Sequence, residues 1–132
     1  MERDLPRLER FLDELCEAGG SRPGRVAVEF RNPDWLVPEV YLGLDRRNVA
    51  LCLADMAKCP IVEPNDADFV YVRRHGSGRQ YEGRYDEVEI EADAERVRGW
   101  LGQGRDVYVY YNNDLGGHAV DNARYLQRCL CA

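Results

Sequence analysis

Four apolar runs, rich in β-branched and aromatic side chains, punctuate the chain: RVAVEFR at Arg25–Arg31, VALCLA at Val49–Ala54, FVYVR at Phe69–Arg73 and VYVYY at Val107–Tyr111. Side chains of these types suit a pleated, buried surface, so each run predicts a strand. Helical periodicity fills the spaces between them. Leu5, Leu8, Leu12 and Leu15 form one stripe with Phe11 beside it, which predicts a helix over Asp4–Leu15 with Asp4 as its cap and Pro6 in its first turn. Leu36, Val37, Val40, Tyr41 and Leu44 predict a second helix running from an Asp34 cap to about Arg47. Ala94, Val97, Trp100 and Leu101 predict a third, with Asp93 as its cap, and Ala119, Ala123, Leu126 and Leu130 a last one. Two stretches read as loops: Met56–Asp66, with Pro60, Pro64 and Asn65, and the polar, Gly-rich Gly76–Glu89.

The resulting order, α-βα-β-β-α-β-α, predicts an α/β fold of four parallel strands joined by right-handed crossovers. Such a unit is either a small open sheet or one half of a (β/α)8 barrel. With 132 residues the chain reads as one domain over 1–132, in which 1–24 form a leading helix and linker.

Charge narrows the function classes. The net charge is −6 and the pI about 5.0, which argues against nucleic acid and against an anionic membrane surface as partners. No apolar run approaches the ~20 residues that span a bilayer. MERDLPRLER has no signal-peptide core, so a cytoplasmic location is expected. Five cysteines without a repeated spacing make a poor disulfide framework, and Cys129 and Cys131 lack a second pair for zinc. Cys52, in mid-strand, reads as a small core residue.

The segments VAVEFRNPDW, VALCLAD, ADFVYVRRHG, YEGRY and DVYVYYNNDLGGHAVDNARYL, in that order, resemble the YecE-like family, also called domain of unknown function 72. The resemblance runs from Arg25 onward and implies a TIM-type (β/α)8 barrel. It also implies that only the C-terminal half is present, with the four strands standing for barrel strands five to eight. Two positions depart from the family: Asn32, where His is frequent, and Met56, where a small polar residue is frequent. A distant likeness of the family to sugar isomerases implies that class of chemistry; no cofactor is implied.

In TIM barrels the chemistry sits at the carboxyl ends of the strands. Here those ends supply Glu29 and Arg31, then Asp55, then Arg73 and His75, then Asn112, Asn113 and Asp114. Glu29 between two arginines would stay ionised, and a spare arginine fork from Arg31 or Arg73 could hold a phosphate or carboxylate; the alternative is an ion-pair network that fixes strand register. His75 suits a general base, or a loop histidine bonded to backbone. Asp55 could orient His75, ligate a metal or simply end its strand. Glu29, Asp55 and His75 together could hold Mg²⁺ or Mn²⁺, although nothing in their spacing demands it. Asn112 and Asn113, before Gly116 and Gly117, could bind sugar hydroxyls or cap a helix, and Asn112 shares a face with Tyr108 and Tyr110. Tyr81, in the long loop, could stack on a sugar, or merely pack. His118 reads as a capping or exposed residue, and Trp35 and Trp100 as packing residues.

Three readings follow. The first is a sugar-isomerase-like enzyme acting on a small polar or anionic substrate, with Glu29, His75 and Asp55 as catalytic residues and Arg31, Arg73, Asn112, Asn113 and Tyr81 as binding residues. The second is a non-catalytic ligand-binding module using the same rim. The third is a half-barrel inactive alone, which pairs with a second copy or with a complementing N-terminal half on another chain.

Overall fold

The computed structural model describes residues 3–19, 24–55, 61–76 and 83–132. Its elements are α1 (Leu5–Gly19), β1 (Ala27–Val28), a 3-10 turn (Pro33–Trp35), α2 (Pro38–Asp45), β2 (Ala50–Asp55), β3 (Phe69–Arg74), α3 (Glu87–Gly102), β4 (Asp106–Tyr111) and α4 (His118–Cys131). The strands lie in the order β1-β2-β3-β4 and every pair is parallel. This is the predicted α/β sheet.

The predicted strands β2, β3 and β4 appear within a residue of their expected bounds. β1 does not: only Ala27 and Val28 pair with β2, although seven residues suit a strand. The helices correct the sequence reading more sharply. Pro38 forces Val37 into an extended conformation, so α2 begins at Pro38 and not at Asp34. Asp34 lies inside the 3-10 turn, and the capping side chain is Asn32, which accepts from Asp34 N at 3.1 Å. Further on, Asp86 and Glu89 form a reciprocal capping box that starts α3 at Glu87. The Gly76–Glu89 loop is therefore shorter than expected. Asp93, expected as a cap, is a buried residue inside that helix. At the N-terminus Asp4 does cap α1, accepting from Arg7 N at 3.0 Å.

Packing follows the alternation of the strands. Leu51 and Leu53 of β2 and Val70 and Val72 of β3 point toward the helices, where they meet Leu8 and Leu12 of α1, Val40 and Leu44 of α2, and Val97 and Trp100 of α3. A second cluster joins Tyr85, Ile90, Ala94 and Tyr111 to Ala119 and Leu126 of α4. The opposite sheet face is concave and carries Ala27, Ala50 and Cys52 on one side and Phe69, Tyr71, Tyr108 and Tyr110 on the other. Tyr108 and Tyr110 remain 37% and 46% exposed. Arg25 spans this concavity at its floor, pairing with Asp106 at 2.5 Å and donating to the Tyr108 hydroxyl at 2.7 Å. Below the sheet the buried Asn65 accepts from Leu51 N and donates to Asp45 and to Val49 O, satisfying backbone groups that the loop would otherwise leave unpaired.

Candidate functional site

At the carboxyl ends of the strands the concave face gathers the charges that alternation assigned to it. Glu29 is the hub. Its Oε2 accepts from Arg73 Nη1 at 2.6 Å and its Oε1 from Arg31 Nε at 3.3 Å. The buried His75 brings Nε2 to 3.6 Å from Glu29 Oε1. The Cys52 thiol faces Glu29 Oε2 at 3.8 Å, and burial, reinforced by the Glu29 charge, pushes that thiol up to about 12. Cys52 is thus a neutral donor beside the carboxylate and not merely a core filler. Arg73 also reaches β4: with its amide oxygen turned to the guanidinium, Asn112 accepts from Nε at 3.2 Å and from Nη2 at 2.6 Å. Glu29, Arg73 and Asn112 therefore bridge the ends of β1, β3 and β4, above a depression of about 330 Å³ lined by Arg25, Cys52 and Tyr71.

The helix side of the same strand ends carries a second network. Arg74, the neighbour of Arg73, points the other way. It donates to Asp93 through Nε at 2.8 Å and through Nη2, and to Asp55 Oδ2 at 3.2 Å. Burial works against the Arg74 charge, but the hydrogen bond with Asp93 and the charges of Asp93 and Asp55 outweigh it and hold its pKa above the ordinary arginine value. Tyr111 donates to Asp93 at 3.3 Å. Asp55 accepts from His75 N at 2.5 Å and from the Tyr85 hydroxyl, which itself accepts from Gly76 N at 2.6 Å. Burial raises the pKa of both tyrosines, Tyr85 helped by its bond to Asp55 and Tyr111 by the Asp93 charge.

The predicted residues thus separate. Glu29, Arg31, Arg73, His75 and Asn112 come together on one rim. Asp55 stands behind that rim and holds the His75 main chain. Asn113 is fully buried, donating to Gly83 O at 2.8 Å and to Asn122 Oδ1 at 2.9 Å, where it fixes the chain before α3 to α4. Tyr81 lies outside the described residues. His118 is the first residue of α4, after Gly117 as N-cap, and is half-buried. Among the described residues no group of three or more His, Cys, Asp or Glu side chains is arranged to hold a metal ion. The Mg²⁺ or Mn²⁺ set of Glu29, Asp55 and His75 is not assembled, because Asp55 turns its carboxylate toward Arg74 and Tyr85. Sequence reasoning missed Arg25, Cys52 and the Arg74–Asp93 pair. Strand alternation signals the first two; the third depends on a helix register that local pattern does not encode.

A four-stranded parallel sheet, curved around a charged rim at its carboxyl ends and backed by helices, is half of a TIM-type barrel. The chain belongs to the family described as Protein of unknown function DUF72, whose profile matches residues 1–132. It is 25% identical over 129 residues to the UPF0759 protein YunF of Bacillus subtilis (strain 168), covering 79% of this chain and 46% of that protein. Two solved DUF72 family proteins share the fold. The one from Enterococcus faecalis V583 gives a TM-score of 0.81 at 20% identity, over 96% of this chain and 54% of that one. The one from Thermotoga maritima MSB8 gives 0.76 at 28% identity, over 94% and 52%. The chain therefore spans about half the length of the relatives it matches. Among the described residues no helix is long and apolar enough to cross a membrane.

Proposed function

We propose that the rim at Glu29 binds a small polar anion, and that in a closed barrel it performs sugar-isomerase-like proton transfer. The observation that carries this reading is Glu29 itself. One carboxylate meets two arginines and lies 3.6 Å from a buried imidazole, at the strand end where barrel chemistry occurs. Glu29 or His75 would take a proton from the carbon next to a carbonyl and return it to the former carbonyl carbon, while the other of the two would pass the hydroxyl proton to the carbonyl oxygen. Asn112 would orient hydroxyls. The Arg73 fork is already engaged by Glu29 and Asn112, so its role is to hold Glu29 in register. Arg31, with 65% of its side chain exposed and only Nε turned to Glu29, suits the incoming phosphate or carboxylate better.

The test is deuterium exchange in D2O, followed by proton NMR, across a panel of aldose and ketose phosphates. One member should exchange its carbon-bound proton; Glu29→Gln should abolish exchange with binding retained, and Arg31→Ala should weaken binding at least about tenfold. Exchange that survives Glu29→Gln would refute the role given to Glu29. Saturable binding without exchange would leave a binding module.

A second reading concerns closure of the barrel. The outer edges of β1 and β4 have no neighbouring strand among the described residues, and Tyr108 and Tyr110 are exposed on a face that a closed barrel fills with side chains. This supports pairing with a second copy, or with a complementing half-barrel on another chain. Light scattering on a sizing column should give a dimer, or a 1:1 complex with that half. A monomer that melts cooperatively would contradict both.

A further inference from the structure

We infer that the anion rim opens into a second compartment, which takes a flat apolar ring carried by the same ligand. This rests on the anion reading above. The compartment lies between the start of α1 and the end of β1 and has a volume of about 510 Å³, within the roughly 300–1,000 Å³ that small-ligand sites span. Its wall is formed by Leu8 and Phe11 from α1 and by Phe30 and Trp35 after β1. The Phe30 and Trp35 rings stack in parallel, with centroids 5.0 Å apart and planes 8° from coplanar. Phe11 is 47% exposed although it sits beside the buried stripe of its helix, so this ring is spent on the compartment and not on the core.

The polar groups around this wall select the rest of the ligand. Glu29 and Arg31 line both the compartment and the rim, and Arg7 adds a further positive charge at its edge. Glu29 is compensated by Arg73 at 2.6 Å, so Arg7 and Arg31 set the local sign. A cation would be repelled. A neutral hydrocarbon would use the wall and leave the arginines unmatched, and a bare phosphate or small sugar phosphate would do the reverse. An aryl or heteroaryl group bearing a phosphate satisfies both, with ring on wall and anion at Arg31.

Trp35 provides the readout, since the chain has two tryptophans and Trp100→Phe leaves it alone. In that background, phenyl phosphate, inorganic phosphate and benzyl alcohol are titrated against tryptophan emission, with affinities checked by calorimetry. Phenyl phosphate should shift the emission and bind at least about tenfold more tightly than inorganic phosphate, as expected for burying one ring face. Phe11→Ala, an exposed position, should abolish that preference and leave phosphate affinity unchanged. Equal affinity for the two phosphates would overturn the compartment and leave the anion rim standing. Benzyl alcohol binding as tightly as phenyl phosphate, with no response to inorganic phosphate, would overturn the anionic end and with it the rim reading. Emission that follows protein concentration and ignores all three probes would mean a second copy covers the wall, which also overturns the proposal.

Discussion

Replacing Asp93 by alanine tests whether the helix-side network holds the strand ends together. The side chain is 9% exposed, and its two oxygens take three hydrogen bonds: two from Arg74, which is itself 14% exposed, and one from Tyr111. The substitution removes both oxygens and leaves the Arg74 guanidinium with its 3.2 Å contact to Asp55 and the face of the Tyr85 ring, 5.1 Å from its centroid. Breaking a buried pair by deleting one partner costs about 3–5 kcal/mol, because the surviving charge stays desolvated. The remaining Asp55 contact places the expectation toward the lower end, at about 3 kcal/mol, which is a large part of the roughly 5–15 kcal/mol that separates folded from unfolded domains. The assay is urea denaturation followed by circular dichroism, with Arg74→Met and the double variant completing a cycle. The double variant should be more stable than Asp93→Ala alone, since it removes the orphaned charge as well. A loss below about 1 kcal/mol for Asp93→Ala at unchanged m-value would refute the reasoning.

Alkaline stability follows from the raised thiol and phenols. Cys52 moves from 9.0 to about 12 through burial and the Glu29 charge, and burial raises Tyr85 and Tyr111 too. Their folded values lie above the unfolded ones, so their contribution is intact below the unfolded values and is lost as pH rises toward the folded ones. Urea melts should lose up to about 1.4 kcal/mol per pH unit per group above about pH 9, and Cys52→Ala should flatten the onset; stability unchanged to pH 11 would contradict this. Asp55→Asn should move the His75 imidazole resonances, which two-dimensional nitrogen–proton NMR resolves readily in a chain with two histidines; unaltered His75 signals would show that Asp55 does not position it. Gly117→Ala, at φ 75°, should cost about 1–2 kcal/mol, whereas Gly99→Ala inside α3, with nothing near its added carbon, should gain about 0.5–1 kcal/mol; thermal melts showing the same sign for both would be incompatible with the backbone assignment.

Where the pattern was strong, the sequence was readable. Runs of β-branched and aromatic residues located β2, β3 and β4 to within a residue, because such side chains suit a pleated sheet both where it is buried, as in β2, and where one face is exposed, as in β4. The misreadings were local. Pro38 was counted within a helical period when it begins one, and the Asp86–Glu89 capping box was hidden in a polar stretch read as loop. Seven residues suited β1, but only two pair, whereas β4 at the other edge pairs along its whole length, so propensity alone does not set the extent of pairing. At the rim, alternation along β3 sends Arg73 and Arg74 to opposite faces. It could not show that Glu29 would sit opposite Cys52, that Asn112 would complete the Arg73 fork, or that Asp93 would meet Arg74. Those pairings depend on register between elements far apart in the chain, and the longest of them, Asn112 with Arg73, joins residues 39 positions apart.

The two adjacent arginines of β3 show how the sheet divides its labour. Side chains alternate along a strand, so Arg73 enters the concavity and Arg74 enters the helix layer. Arg73 ties Glu29 to Asn112 on the concave face; Arg74 ties Asp55 to Asp93 in the helix layer. The networks meet at one point. Asp55 takes Arg74 on one oxygen and the His75 main chain on the other, and the His75 imidazole then lies against Glu29. A rim built only from flexible arginine and glutamate side chains would pay rotamer entropy whenever it assembled. Anchoring its histidine through the backbone, from behind the sheet, restrains the imidazole in place, the kind of support that the proposed binding role would call for. The helix-side ion pairs therefore support the rim's geometry as well as the fold, and damage to them should be felt at the concave face without any contact to a ligand.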